Sequence, residues 1–81
     1  MTRYFFDIRD HTGTYPDDEG LELRDVRAAK VEAAHALTDI ARDAIQSDNG
    51  HDVTIDVRTK DGPLFQAAYH LQITNAKYPF K

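Results

Sequence analysis

The sequence predicts a single α+β domain of the order β-β-α-β-β, and three observations support this fold class. Apolar and polar side chains alternate near both ends of the chain, which is the period of strands with one buried face. The segment between them repeats its apolar residues every three or four positions, as an amphipathic helix does. Turn-forming residues separate these segments, and 81 residues suffice for only one core.

The first hairpin is expected over residues 3–23. Its first strand, residues 3–9, alternates between two faces, and a turn containing Gly13 follows. The second strand contains Pro16, which has no N–H to donate to a neighbour, so we expect this strand at an edge of the sheet. A turn or bulge at residues 17–20 interrupts it before the alternation resumes.

One long helix is expected from Asp25 to about Ser47. Asp25 is a favourable N-cap residue directly before the periodic segment, and Asn49-Gly50 supplies a helix stop. Many residues of the apolar stripe are alanine, which lets a helix approach a sheet closely. The stripe consists of Val26, Ala29, Ala33, Leu37, Ile40 and Ala44.

The second hairpin is expected to join a strand at residues 53–57 to a long strand at residues 65–73. Its turn contains Gly62 at a position that favours positive φ. One-faced alternation in all strands predicts one four-stranded antiparallel sheet with the helix on one face. The spatial order second, first, third, fourth strand makes every neighbour antiparallel, although the pattern permits other orders. Residues 1–75 are expected to form the domain and residues 76–81 a tail.

The core is predicted from the alternating strand positions and the helical stripe. Phe5 has the opposite parity to its neighbours in the first strand, so we expect it outside this core. Leu37→Ala is expected to be destabilising if that position is buried. The predicted core residues are Tyr4, Phe6, Ile8, Leu21, Leu23, Leu37, Ile40, Val53, Ile55, Val57, Tyr69, Leu71 and Ile73.

The composition excludes several classes of function. There is no cysteine, so a disulfide, a thiolate nucleophile or a cysteine zinc site cannot form, and a reducing cytoplasm is the expected location. Ten Lys or Arg against fourteen Asp or Glu give a net charge of −4, which disfavours non-specific binding to nucleic acid. No stretch approaches the roughly 20 apolar residues of a membrane span, and the short apolar run at the N-terminus is not a signal peptide.

The opening Arg3-Tyr4-Phe5-Phe6-Asp7-Ile8-Arg9, the Pro16-Asp17-Asp18-Glu19-Gly20 turn and the alanine-rich helix after Asp25 resemble a family of short uncharacterised bacterial proteins. The resemblance covers roughly residues 3 to 74. It implies the same fold but no assigned activity, because this is a domain of unknown function. A weaker likeness of layout runs to the antitoxins of HicB type, which also place a hairpin before an amphipathic helix.

The outer sheet face carries the main candidate site. If the first, third and fourth strands are neighbours, Asp7, Asp56 and His70 share one surface, and two carboxylates with an imidazole could hold a divalent metal or act as an acid–base pair. Cross-strand ion pairing on a solvated face is the favoured interpretation. An aromatic residue beside arginines could also stack RNA bases, but the aromatic motif of such sheets is missing. The remaining members of this surface are Phe5, Arg3, Arg9 and Arg58.

Other charged groups match no known motif. The acidic turn at residues 17–19 with Glu22 does not have calcium-loop spacing, and is interpreted as a solvated turn. His35 and Asp39 stand four residues apart, which favours a local ion pair. His11 and His51 are expected to face solvent. The only serine is Ser47 and no phosphate-binding loop occurs, so we expect neither catalysis nor a cofactor.

Three functional hypotheses remain open. The first is a cytoplasmic binding or assembly module without chemistry of its own, working as a homodimer. The second is a nucleic-acid-linked regulator or antitoxin-like partner protein, and the third is a small metal-dependent enzyme that uses the outer sheet face. An interface is expected at the uncharged last strand, at Phe5, or at Tyr78 and Phe80 of the tail.

Overall fold

The computed structural model describes residues 1–46 and 52–70, and it confirms the predicted α+β architecture. The strands before the helix are β1 (Thr2–Asp10), β2 (Gly13–Tyr15) and β3 (Leu21–Leu23), followed by the helix α1 (Val26–Gln46). The strands after it are β4 (Val53–Thr59) and β5 (Gly62–Tyr69). The predicted second strand is therefore two short strands, interrupted where the sequence indicates a turn. The predicted tail at residues 76–81 lies outside the described residues.

The strands form one antiparallel sheet in the order β2-β1-β4-β5, with β3 also paired to β1. This is the predicted order. β3 pairs with Thr2–Tyr4 and β2 pairs with Ile8–Asp10, so both short strands lie along the same side of β1. Within residues 1–46 and 52–70, residues 5–7 of β1 have no strand on that side, because the chain between β2 and β3 leaves the sheet there.

The register gives the sheet one apolar face and one polar face. Phe6 lies opposite Val57, and Ile8 lies opposite Ile55, on the face covered by α1. The β4–β5 turn is closed by Gly62, whose φ of +125° suits glycine. A register shift follows in this hairpin, and the extra residue is Leu64 of β5.

The core lies between α1 and the inner sheet face. Ala29, Ala33 and Ile55 are fully buried, because two alanines let the helix backbone approach the central strand closely. Tyr4, Val53 and Val57 are buried as predicted. Several other apolar side chains are partly buried and pack against this cluster, namely Phe6, Ile8, Leu23, Ala36, Leu37, Ile40, Phe65 and Ala67. Phe5 is outside the core cluster, as expected.

One predicted core residue is wrong, and one residue of the predicted apolar stripe of the helix is also exposed. Leu21 lies opposite Tyr4 but is 41% exposed, because it belongs to an edge strand and α1 lies mainly over β4 and β5. Val26 is 40% exposed because it is the first residue of α1. Tyr69 is partly buried. Leu71, Ile73 and the predicted helix stop at Asn49-Gly50 lie outside the described residues.

The start of α1 has the predicted cap. The Asp25 carboxylate accepts a hydrogen bond from the Ala28 N–H at 2.9 Å, which satisfies one of the free donors of the first turn. The Asp25 carbonyl accepts the first helical bond from the Ala29 N–H at 3.1 Å. Within the described residues, α1 is not long and apolar enough to cross a membrane.

Candidate functional site

The outer sheet face carries two carboxylates directly opposite each other. Asp7 of β1 pairs in register with Asp56 of β4, an arrangement in which like charges would repel. Each carboxylate is neutralised by an arginine of the other strand. Arg58 donates to Asp7 at 2.7 and 3.3 Å, and Arg9 donates to Asp56 at 3.1 and 3.3 Å. The four side chains therefore form two crossed ion pairs, the arrangement of cross-strand pairing.

The two ion pairs differ in exposure. The Asp7 side chain is only 16% exposed, whereas that of Asp56 is 36% exposed and also accepts a hydrogen bond from Gln66 at 2.9 Å. The hydrogen bond from Arg58 lowers the pKa of Asp7, and this effect outweighs the opposing effect of burial. Asp7 is consequently a fixed carboxylate at neutral pH, already committed to a partner.

The loop of residues 16–20 folds onto the outer face beside Asp7. The Asp17 N–H donates to the Asp7 carboxylate at 2.8 Å. Arg58 donates to the Asp17 carbonyl at 3.0 Å, so one arginine joins the loop to the sheet. This contact explains why Asp7 is the more buried of the two outer-face carboxylates.

The side chain of Asp17 accepts a backbone hydrogen bond where β1 has no neighbour among the described strands. Its Oδ2 accepts a hydrogen bond from the Phe6 N–H at 3.1 Å, in the gap between β3 and β2. Its Oδ1 accepts from the N–H groups of Glu19 and Gly20, both at 3.1 Å, which closes the turn. Burial raises the pKa of Asp17, but these three backbone donors outweigh it and the net pKa is lowered.

Gly20 allows the loop to lie against the outer face. Its φ is +75°, and a Cβ added there would lie 2.8 Å from Arg3 Cγ and 2.9 Å from Phe5 Cε2. The Arg58 guanidinium lies 4.6 Å from the centre of the Phe5 ring. Phe5 is thus partly covered by its own chain, which reduces the apolar surface it offers to a partner.

Arg3 and His70, which were also predicted to belong to this surface, have other partners. Arg3 donates to the Glu19 carbonyl at 2.7 Å and pairs with Glu22 at 3.5 Å. His70 contacts Asp52 instead of lying with Asp7 and Asp56. Over residues 1–46 and 52–70, no group of three or more histidines and carboxylates is arranged to hold a metal ion.

The remaining candidate residues lie on the helix, in a turn or outside the described residues. Asp39 forms an ion pair with Arg42 at 3.4 Å, whereas the sequence predicted one with His35. His11 is exposed. His51, Ser47, Tyr78 and Phe80 lie outside the described residues.

Asp17 is the residue that the sequence interpretation missed. The acidic turn was expected to be solvated, but Asp17 is half-buried and binds three backbone donors. The signal available in the sequence was the Asp-x-x-Gly spacing, because an aspartate often accepts from N–H groups two and three residues later. The donation from Phe6 could not be found this way, since it depends on the tertiary gap beside β1.

The second surface of interest is the free edge of β5. Among the described residues, β5 pairs only with β4, so one side of this strand has no neighbour. The strand is eight residues long, GPLFQAAY, and carries no charged side chain. Leu64 is 48% exposed, and Gln66 and Ala68 are exposed on the outer face.

The fold and these two surfaces define a small α+β domain with an ion-paired sheet face and an uncharged open strand edge. The chain belongs to the family described as a domain of unknown function, DUF6894, whose match covers residues 3–70. This match supports the predicted membership in a family without an assigned activity. No curated protein and no solved structure matches the chain.

Proposed function

We propose that this protein is a non-catalytic binding and assembly module of the cytoplasm that works as a homodimer. The observation that carries the proposal is the edge of β5, which is long, uncharged and without a neighbour among the described residues. An exposed strand edge presents unpaired N–H and C=O groups, which bind another strand readily. The absence of cysteine supports a reducing compartment.

The opposite edge of the sheet, formed by β2 and β3, is protected against pairing with a further strand, whereas the β5 edge is not. β2 and β3 are three residues each, and short edge strands offer little surface for pairing. Pro16 follows β2, and β3 carries the charged Glu22. In β5 the single proline, Pro63, lies at the beginning of the strand, so residues 65–69 have no such protection.

The two other hypotheses receive less support from the outer face. A nucleic-acid-linked or antitoxin-like regulator would need free cationic groups, but Arg3, Arg9 and Arg58 are each engaged by a carboxylate. A metal-dependent enzyme would need Asp7, Asp56 and His70 together. His70 contacts Asp52, and both aspartates bind arginine, so a metal would have to displace two ion pairs.

The proposal predicts that charges of one sign on the β5 edge weaken self-association. In the variant Gln66→Lys/Ala68→Lys, antiparallel pairing places lysines opposite lysines on the outer face. We expect the wild-type chain to sediment as a dimer at tens of micromolar. The variant should show a dissociation constant raised by about tenfold or more, from two like-charge contacts.

A matched control separates the position of the charges from their number. Thr2→Lys/Thr14→Lys adds the same two charges at exposed positions on the opposite side of the sheet. This control should sediment as the wild type does, and melting curves should show that both variants fold. A wild-type chain that remains monomeric at these concentrations, or a β5 variant that dimerises as well as the control, would refute the proposal.

A further inference from the structure

The position of α1 over the sheet determines how two copies would meet at β5. The helix contacts β4 and β5 to a similar extent, and it contacts β3 less. Its axis therefore lies close to the β5 side of the sheet instead of over the middle. Adjacent strands are about 4.8 Å apart, so a helix midway between β4 and β5 lies only about 2.4 Å from the line of β5 in projection.

The register of β5 limits the ways in which two copies can pair. In an antiparallel pair, residues directly opposite each other point to the same sheet face, so both apolar faces must lie on one side. The extra residue at Leu64 interrupts regular pairing, which leaves Phe65–Tyr69 as the regular stretch. The centre of this stretch is Ala67, and a two-fold axis there places Phe65 opposite Tyr69 of the second copy.

We infer that two copies join their β5 strands antiparallel about Ala67, so that one continuous sheet carries both α1 helices on the same face, packed against each other. This inference rests on the proposed function and adds the arrangement of the second copy. With β5 strands about 4.8 Å apart, the two helices would lie about 10 Å from each other. That separation is at the upper end of the 8–10 Å range of packed helices, so the dimer leaves no gap between them.

The helix side that would face the second copy is identified by Lys30. Its Nζ lies 5.8 Å from the centre of the Phe65 ring, so this side of α1 faces β5. Residues four, seven and eleven positions later lie on the same side of a helix. They are Ala34, Leu37 and Ala41, of which Ala34 is exposed and the other two are partly buried. Apart from Lys30, whose ammonium group lies over the Phe65 ring, the side chains here are small or aliphatic and permit close approach of a second helix.

The inference predicts that Ala34→Glu weakens self-association although the residue is exposed in one copy. Glutamate at this position would be partly desolvated between the helices. Its carboxylate would also lie opposite the glutamate introduced at the same position of the second, antiparallel helix. We expect the dissociation constant of the dimer to rise by about tenfold or more, measured by sedimentation equilibrium. The control is His35→Glu, because His35 is exposed and, as the next residue after Ala34, points about 100° away from it around the helix.

The outcomes distinguish this inference from the function on which it rests. Weakened dimerisation by Ala34→Glu but not by His35→Glu supports the packed helix pair. A dimer that is lost with Gln66→Lys/Ala68→Lys but unaffected by Ala34→Glu refutes the helix contact and leaves the strand-edge module intact. A wild-type chain that is monomeric refutes both.

Discussion

Ile55→Ala is expected to lower the free energy of unfolding by about 2–5 kcal/mol. Ile55 is fully buried, with 0% of its surface accessible to solvent. It lies in the central strand β4 and packs beneath Ala29 and Ala33 of the helix. Removing three carbon atoms there leaves a cavity that the close helix–sheet contact cannot fill. A domain of 81 residues has little stability to lose, so the variant should unfold at a much lower denaturant concentration.

The matched control for this truncation is Leu64→Ala. Leu64 is also a branched aliphatic residue of the second hairpin, but it is 48% exposed at the bulge of β5. Its truncation should change the free energy of unfolding by less than about 1 kcal/mol, measured by urea unfolding of both variants. A loss at Ile55 no greater than that at Leu64 would contradict the placement of the core beneath α1.

Asp17→Ala is expected to cost about 1–3 kcal/mol of stability, which is large for a residue in an acidic surface turn. The substitution removes the acceptor for the N–H groups of Phe6, Glu19 and Gly20. The Phe6 donor lies in the gap of β1 between β3 and β2, where none of the described strands supplies a replacement. Asp18→Ala, in the exposed neighbouring position, should be nearly neutral in the same unfolding experiment.

The decrease in the free energy of unfolding at acid pH tests the contacts of Asp7 and Asp17. The folded-state pKa values of Asp7 and Asp17 are lowered, so their contribution is present above the unfolded value of about 3.9 and is lost as pH falls through the folded values. Asp17→Asn should flatten the loss of stability below about pH 4 compared with the wild type. An unchanged decrease at acid pH, or an Asp17→Ala variant as stable as Asp18→Ala, would show that the loop contact contributes nothing.

Much of the fold follows from patterns that need no tertiary information. Alternation assigned Tyr4, Ile55 and Val57 to the inner face, because the period of a strand fixes which side chains share a face. Asp25 marked the helix start because its carboxylate caps the first turn. Pro16 placed the second strand at an edge, and the antiparallel requirement then gave the strand order.

The remaining features depend on tertiary placement. Leu21 has the correct parity for the core, yet the helix lies too far towards β5 to cover it. Cross-strand ion pairing was the favoured interpretation of the outer face, but the sequence did not assign Arg58 to Asp7, since the register between β1 and β4 decides which partners meet. The role of Asp17 depends on a gap in strand pairing, and no local pattern reports such a gap.

The proposed contact of two copies of this chain at the β5 edge is tested most directly by a mixing experiment with opposite charges. Gln66→Lys/Ala68→Lys and Gln66→Glu/Ala68→Glu are each expected to sediment as monomers, because like charges meet across the pair of β5 strands. Mixed in equal amounts, they should form a 1:1 dimer with twice the monomer mass, because lysines then face glutamates. Mixtures that remain monomeric while the wild type dimerises would show that the contact lies elsewhere, and a wild type that never dimerises would contradict the claim outright.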